Sequence, residues 1–168
     1  MGNKTPGYEI ERKFLICMPE KTFLEDNADR ILQIRQSYLA TQKGESARVR
    51  QITEGKTVTY VHTVKRRISD IKREETEREI SREEYEKLLR LLDKDRNEII
   101  KTRYCLPHGN HIFEIDVFPF WTDKAFLEVE LSEEAEEFQL PSDIEVICEV
   151  TEDRRYTNAA LAKEIPEA

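Results

Sequence analysis

Apolar and charged residues alternate along most of this chain, and the alternation has the period of a strand. Ala47 and Val49 interleave with Arg48 and Arg50, and Phe113, Ile115 and Val117 interleave with Glu114 and Asp116. Leu127, Val129 and Leu131 interleave with Glu128 and Glu130. Successive side chains of a strand point to opposite faces, so each i,i+2 charged pair shares one face and the apolar set takes the other. Read this way, strands are predicted over 8–16, 31–40, 45–53, 57–67, 72–80, 97–106, 111–118, 125–131 and 145–150. Lys43-Gly44, Glu54-Gly55 and His108-Gly109-Asn110 read as turns between antiparallel neighbours.

The period changes to that of a helix over 81–93, where Tyr85, Leu88, Leu89 and Leu92 fall on one face. Ser81 can cap that helix, and Glu84 completes a capping box. Weaker helical patterns cover 19–27, 132–138 and 158–164.

Eight or so antiparallel strands leave two architectures. A sandwich would turn the charged faces to water, whereas a closed barrel could turn them inward and cover its apolar exterior with helices. The charged positions are often like-charge doublets, Arg with Arg and Glu with Glu. Clustered like charges are unfavourable unless counter-charges, metals or ligands compensate them. The doublets thus favour an enclosed polar face without deciding the matter.

Composition narrows the possibilities. The chain has 168 residues, enough for one domain with a sizeable core, and 37 % of them are charged. A net charge of −8 argues against a generic duplex-binding surface, so nucleic acid is not an expected partner. The three cysteines (Cys17, Cys105, Cys148) have no metal-ligand spacing and cannot all pair, which points to a reducing compartment, the cytoplasm. Residues 1–8 lack a signal-like apolar stretch and nothing reaches transmembrane length, so no membrane partner is expected. An isologous homodimer is compatible with an apolar outer face. His62, His108 and His111 form no metal pair, and Trp121 in Phe118-Pro119-Phe120-Trp121 reads as loop packing.

Glu9-Ile10-Glu11-Arg12-Lys13-Phe14 resembles the ExExK signature of the triphosphate tunnel metalloenzymes, the CYTH family. The resemblance continues in order through Ala47-Arg48-Val49-Arg50, Thr63-Val64-Lys65, Arg73-Glu74-Glu75-Thr76-Glu77 and Lys101-Thr102-Arg103-Tyr104. It then runs through Phe113 to Phe118, Leu127 to Glu130 and the tail Glu149 to Asn158, spanning roughly residues 8 to 163. One such motif is weak, but several in the right order are specific. The implied fold is a closed eight-stranded antiparallel barrel with peripheral helices, and 1–168 is expected to be a single domain of this kind.

The resemblance implies roles. Glu9, Glu11, Glu75, Glu77, Asp116, Glu128 and Glu130 are the metal candidates for Mg²⁺ or Mn²⁺, which favour oxygen ligands. Alternation alone does not select Glu75 and Glu77, because 73–79 is charged on both faces. Lys13, Arg48, Arg50, Lys65, Lys101, Arg103 and Arg155 are the phosphate-binding candidates, since Arg takes two phosphate oxygens at once and Lys acts as a point charge. Of the pair Arg154 and Arg155, the latter is favoured for closing one mouth. Arg67 shares the parity of Lys65 and Arg66 faces the other way. Lys13, Tyr38, Lys101 and Glu128 form the expected catalytic set, with Tyr38 near a tunnel lysine. The implied reaction is metal-dependent hydrolysis of inorganic triphosphate to pyrophosphate and orthophosphate. Hydrolysis of nucleoside or thiamine triphosphate, adenylyl cyclisation, and non-catalytic polyphosphate binding are the alternatives.

Overall fold

The computed structural model describes residues 7–69 and 71–166; residues 1–6, most of the segment read for a signal, lie outside them. Strands β1 (Gly7–Cys17), β2 (Arg30–Leu39), β3 (Glu45–Glu54), β4 (Thr57–Arg67) and β5 (Lys72–Ile80) precede helix α2 (Arg82–Leu88). Strands β6 (Ile99–His108), β7 (His111–Val117), β8 (Lys124–Leu131) and β9 (Val146–Glu149) follow. Helices α1 (Lys21–Asn27) and α3 (Asn158–Leu161) complete the elements.

The strands pair antiparallel in the order β5-β4-β3-β2-β6-β7-β8-β1, and β1 returns to β5, closing an eight-stranded barrel. β9 is an addition that pairs with β1 at Phe14–Ile16, past the point where β5 has left it. Three of the tight links rest on glycine: Gly44, Gly55 and Gly109 all have positive φ, which costs little without a Cβ.

The outer wall is apolar and covered. Phe14, Ile16, Phe113, Ile115, Leu127 and Val129 pack under α1 through Leu24 and under the segment after β8 through Phe138 and Ile144. On the opposite side Ala47, Val49 and Ile80 pack under α2 through Tyr85, whose ring lies 4.8 Å from that of Tyr60. One barrel end is plugged by Leu15, Phe118, Trp121, Phe126 and Leu161 of α3, so Trp121 does pack.

Two helical expectations change. Ser81 caps α2, accepting from the Glu84 amide, but the Glu84 carboxylate receives Arg78 at 2.9 Å instead of closing the box. The α-helix ends at Leu88 and tightens into a 3₁₀ turn over Leu89–Leu91. Residues 132–138 form turns and no helix. There the Glu136 carboxylate takes the Ser132 hydroxyl and amide and contacts His111, offering the backbone a local alternative to helical bonding. His111 is thus an anchor for this segment and not a free surface residue.

Candidate functional site

The register places the predicted charges on one continuous inward face. Lys13 lies opposite Glu128 and Glu11 opposite Glu130. Glu9 faces Arg73, and Glu75 and Glu77 face Lys65 and Thr63. Arg48 and Arg50 face Tyr38 and Gln36, and Arg103 faces Asp116. Cross-strand partners share a face, so closure of the barrel carries this parity around all eight strands. Closure also selects Glu75 and Glu77, which alternation left open. Arg66 points outward to Glu74, at 2.7 Å.

Inside, the charges are arranged as pairs and triads. Lys65 Nζ is 2.9 Å from Glu9, Arg50 Nη2 3.0 Å from Glu77, and Lys13 Nζ 3.3 Å from Glu128. Burial pushes the Glu9 carboxyl up, but Lys65 and Arg48, with hydrogen bonds from Glu75 and Lys65, hold it at about 2. Asp116 is wholly buried: Arg103 Nε and Nη2 donate to its two oxygens at 2.7 and 2.8 Å, and Lys101 Nζ lies 2.9 Å from Oδ2. Arg103 also reaches Glu114 at 2.7 Å, a carboxylate absent from the predicted set although it shares the parity of Asp116. Burial, reinforced by Arg103 and Arg48 and opposed by Asp116, brings Lys101 down to about 7.

Two buried guanidinium donors on this wall have no acceptor: Arg48 Nε and Arg50 Nε make no hydrogen bond, whereas Lys101 Nζ is paired with Asp116 Oδ2 at 2.9 Å. Buried donors are nearly always satisfied in folded proteins, so a group of orphans calls for a ligand. The Tyr38 hydroxyl accepts from Gln36 Nε2 at 2.9 Å, and Arg48 is its cross-strand neighbour.

A cavity of about 480 Å³ opens from the tunnel between the β2–β3 turn and residues 150–159. Glu11, Lys13, Tyr38, Arg48 and Lys65 reach it from the walls, and Arg67 and Arg73 from the ends of β4 and β5. Arg154, not Arg155, lines it. Arg155 is bound to Asp153 at 2.6 Å on an exposed surface, because the 3₁₀ turn at Arg154–Tyr156 sends adjacent side chains different ways. Arg96 and Asn158 line the cavity too, and strand alternation could not find them, since Arg96 sits in a turn and Asn158 on α3. Arg73 was within reach, sharing the parity of Glu75.

The carboxylates suit a hard cation. Glu11 is pushed up to about 8 by burial and by Glu128 and Glu9, and Glu75 to about 9 by burial and Glu9. Crowding of this kind is what a divalent cation relieves, and the donors are all oxygen. No three ligating side chains converge on one point among the described residues. Mg²⁺ commonly takes one or two carboxylates and completes its shell with water and substrate phosphate, so the donor set fits such an ion. Asp116, by contrast, has both oxygens engaged by Arg103 and one of them also by Lys101.

A closed barrel with an inward wall of buried cations and carboxylates, opening into a cation-lined cavity, defines a tunnel protein that binds small polyanions. The CYTH domain family matches residues 7–157, and the chain belongs to this family, the triphosphate tunnel metalloenzymes. It is similar to an inorganic triphosphatase of Nitrosomonas europaea, 39 % identical over 162 residues, with 94 % of this chain and 99 % of the relative covered. The crystal structure of an inorganic triphosphatase superposes with a TM-score of 0.56 at 32 % identity, covering 95 % of this chain and 97 % of that one. A protein from Pyrococcus horikoshii OT3 shares the fold at 20 % identity, with a TM-score of 0.57 over 75 % of this chain and 80 % of its own. Among the described residues no helix is long and apolar enough to cross a membrane.

Proposed function

We propose that this chain, working as one CYTH-like domain, hydrolyses inorganic triphosphate to pyrophosphate and orthophosphate with Mg²⁺ or Mn²⁺. The observation that carries the reading is the pair of buried inward guanidinium donors without acceptors, Arg48 Nε and Arg50 Nε. Donors already ordered and desolvated stabilise a polyanion, and the charge that develops on its leaving group, without reorganising at the moment of reaction. The Nitrosomonas europaea relative, an inorganic triphosphatase similar along nearly the whole chain, supports the same substrate.

In this reading Lys13, Arg48, Arg50, Lys65, Lys101 and Arg103 bind and align the phosphates, with Arg154 replacing Arg155 at the mouth. Tyr38, the cross-strand neighbour of Arg48, packs beside it and positions it. Asp116 fixes Lys101 and Arg103, and Glu128 does the same for Lys13. Glu9, Glu11, Glu75, Glu77 and Glu130 would hold the divalent ion, which when bound offsets phosphate charge and polarises water. Three free cysteines support a reducing, cytoplasmic location.

The test is a product assay on inorganic triphosphate, ATP and thiamine triphosphate, each with Mg²⁺ or Mn²⁺. Orthophosphate and pyrophosphate from inorganic triphosphate, with much weaker turnover of the esters, is the expected result. Cyclic AMP and pyrophosphate from ATP, or tight binding with no turnover of any substrate, would overturn it.

A further inference from the structure

Inorganic triphosphate and a triphosphate ester differ at one terminal phosphate alone, where the ester replaces a free, charged oxygen with an organic group. The cavity at the mouth, about 480 Å³, is large enough for an organic substituent. Lack of space therefore cannot exclude esters, and discrimination needs a donor that only the free oxygen satisfies. A site built to hydrogen-bond one group rejects the analogue that lacks it, because a buried donor is then left unpaired.

Arg96 is placed to supply that donor. It lines the cavity from the turn before β6, outside the barrel wall, and its Nε is buried with no hydrogen-bond partner. Its guanidinium lies 5.6 Å from the centroid of the Tyr38 ring, and Tyr38 is the cross-strand neighbour of Arg48. Arg96 therefore stands one side chain beyond the phosphate clamp, on the mouth side. Asp93 Oδ2 lies 3.5 Å away, close enough to steady the charge but making no hydrogen bond to Nε. The turn is itself fixed: the Arg96 amide donates to Asp93 O at 3.1 Å, and the Asn97 amide to Ala162 O at 2.7 Å. A planar fork held in this way is ordered before substrate arrives, so little is lost on binding.

We propose that Arg96 binds the second terminal phosphate of inorganic triphosphate and is the residue that sets preference for the unesterified substrate. The inference rests on the triphosphatase reading above and extends it to the class of substrate refused.

The experiment compares wild type, Arg96→Ala and Arg96→Lys on inorganic triphosphate and on ATP, at one Mg²⁺ concentration, with thermal unfolding as a control for folding. Arg96→Ala should lower kcat/KM for inorganic triphosphate at least about tenfold, mainly through KM, while leaving that for ATP within about twofold. Arg96→Lys, which keeps the charge but not the fork, should fall between the two. Equal losses on both substrates, or an unchanged ratio in a folded variant, would overturn the assignment. Wild type that turns over ATP in preference to inorganic triphosphate would instead sink the functional reading, and this proposal with it.

Discussion

Replacing Asp116 by Asn separates a positioning role from a metal-binding one. In the native structure Asp116 is wholly buried, takes two hydrogen bonds from Arg103 at 2.7 and 2.8 Å, and faces Lys101 Nζ at 2.9 Å. Asparagine has nearly the same shape, keeps one oxygen and turns an NH₂ group toward a guanidinium or an ammonium. Removing one partner of a buried ion pair costs about 3–5 kcal/mol, because the other charge stays buried without compensation. Two features hold the loss toward the lower part of that range. Arg103 keeps Glu114 at 2.7 Å, and Lys101, already brought down to about 7 by burial, can shed its proton. For a chain of 168 residues each kcal/mol moves Tm by about 2–4 °C, so a loss of about 3 kcal/mol corresponds to a fall of roughly 6–12 °C. Thermal and urea unfolding followed by circular dichroism would measure it, with the urea midpoint lowered and the slope unchanged. The affinity of the folded variant for Mn²⁺ should stay within about twofold of wild type. A Tm within about 2 °C of wild type, together with an affinity loss of tenfold or more, would show Asp116 to be a ligand and refute the reasoning.

Adding Mg²⁺ or Mn²⁺ to metal-free protein should raise Tm, since a ligand that binds only the folded state stabilises it, and Glu130→Gln should shrink both that rise and the metal-dependent activity. Wild-type kinetics and an unchanged metal response in that variant would remove Glu130 from the site. Arg154→Ala should raise KM for inorganic triphosphate about two- to fivefold in a salt-sensitive way, the scale of an exposed ionic contact, whereas Arg155→Ala should shift it less than twofold. Hydrogen bonds from the Ser132 hydroxyl, His111 and the Ser132 amide hold Glu136 at about 2, below its unfolded value near 4.5. A lowered carboxyl contributes stability above the unfolded value and loses it as pH falls through the folded one. Wild type should therefore lose a stability increment between pH 4.5 and about 2 that Glu136→Gln does not show, and parallel pH–Tm curves for the two would contradict this.

Much of the molecule was already determined by the order of residues along the chain. Strand periodicity needs only neighbours in sequence, so the eight barrel strands, the glycine turns and the separation of Lys13, Arg48, Lys65, Lys101 and Glu128 from the apolar face of their strands could be read locally. Even Ser81 as a helix cap is a local hydrogen bond. Closure was not local. Alternation divides each strand into two faces but cannot say which face is enclosed, and 73–79 carries charge on both. Only the return of β1 to β5 turned Glu75 and Glu77 inward. Partners were equally beyond reach. Asp116 reads as one more strand carboxylate until packing sets Lys101 and Arg103 against it, where burial makes their mutual compensation obligatory. The mouth shows the limit most plainly, because Arg96, Arg154 and Asn158 come from a turn, a 3₁₀ segment and a short helix that follow no strand period. Periodicity specifies how a strand faces its sheet, but what a loop side chain meets across the barrel depends on the path of the whole chain.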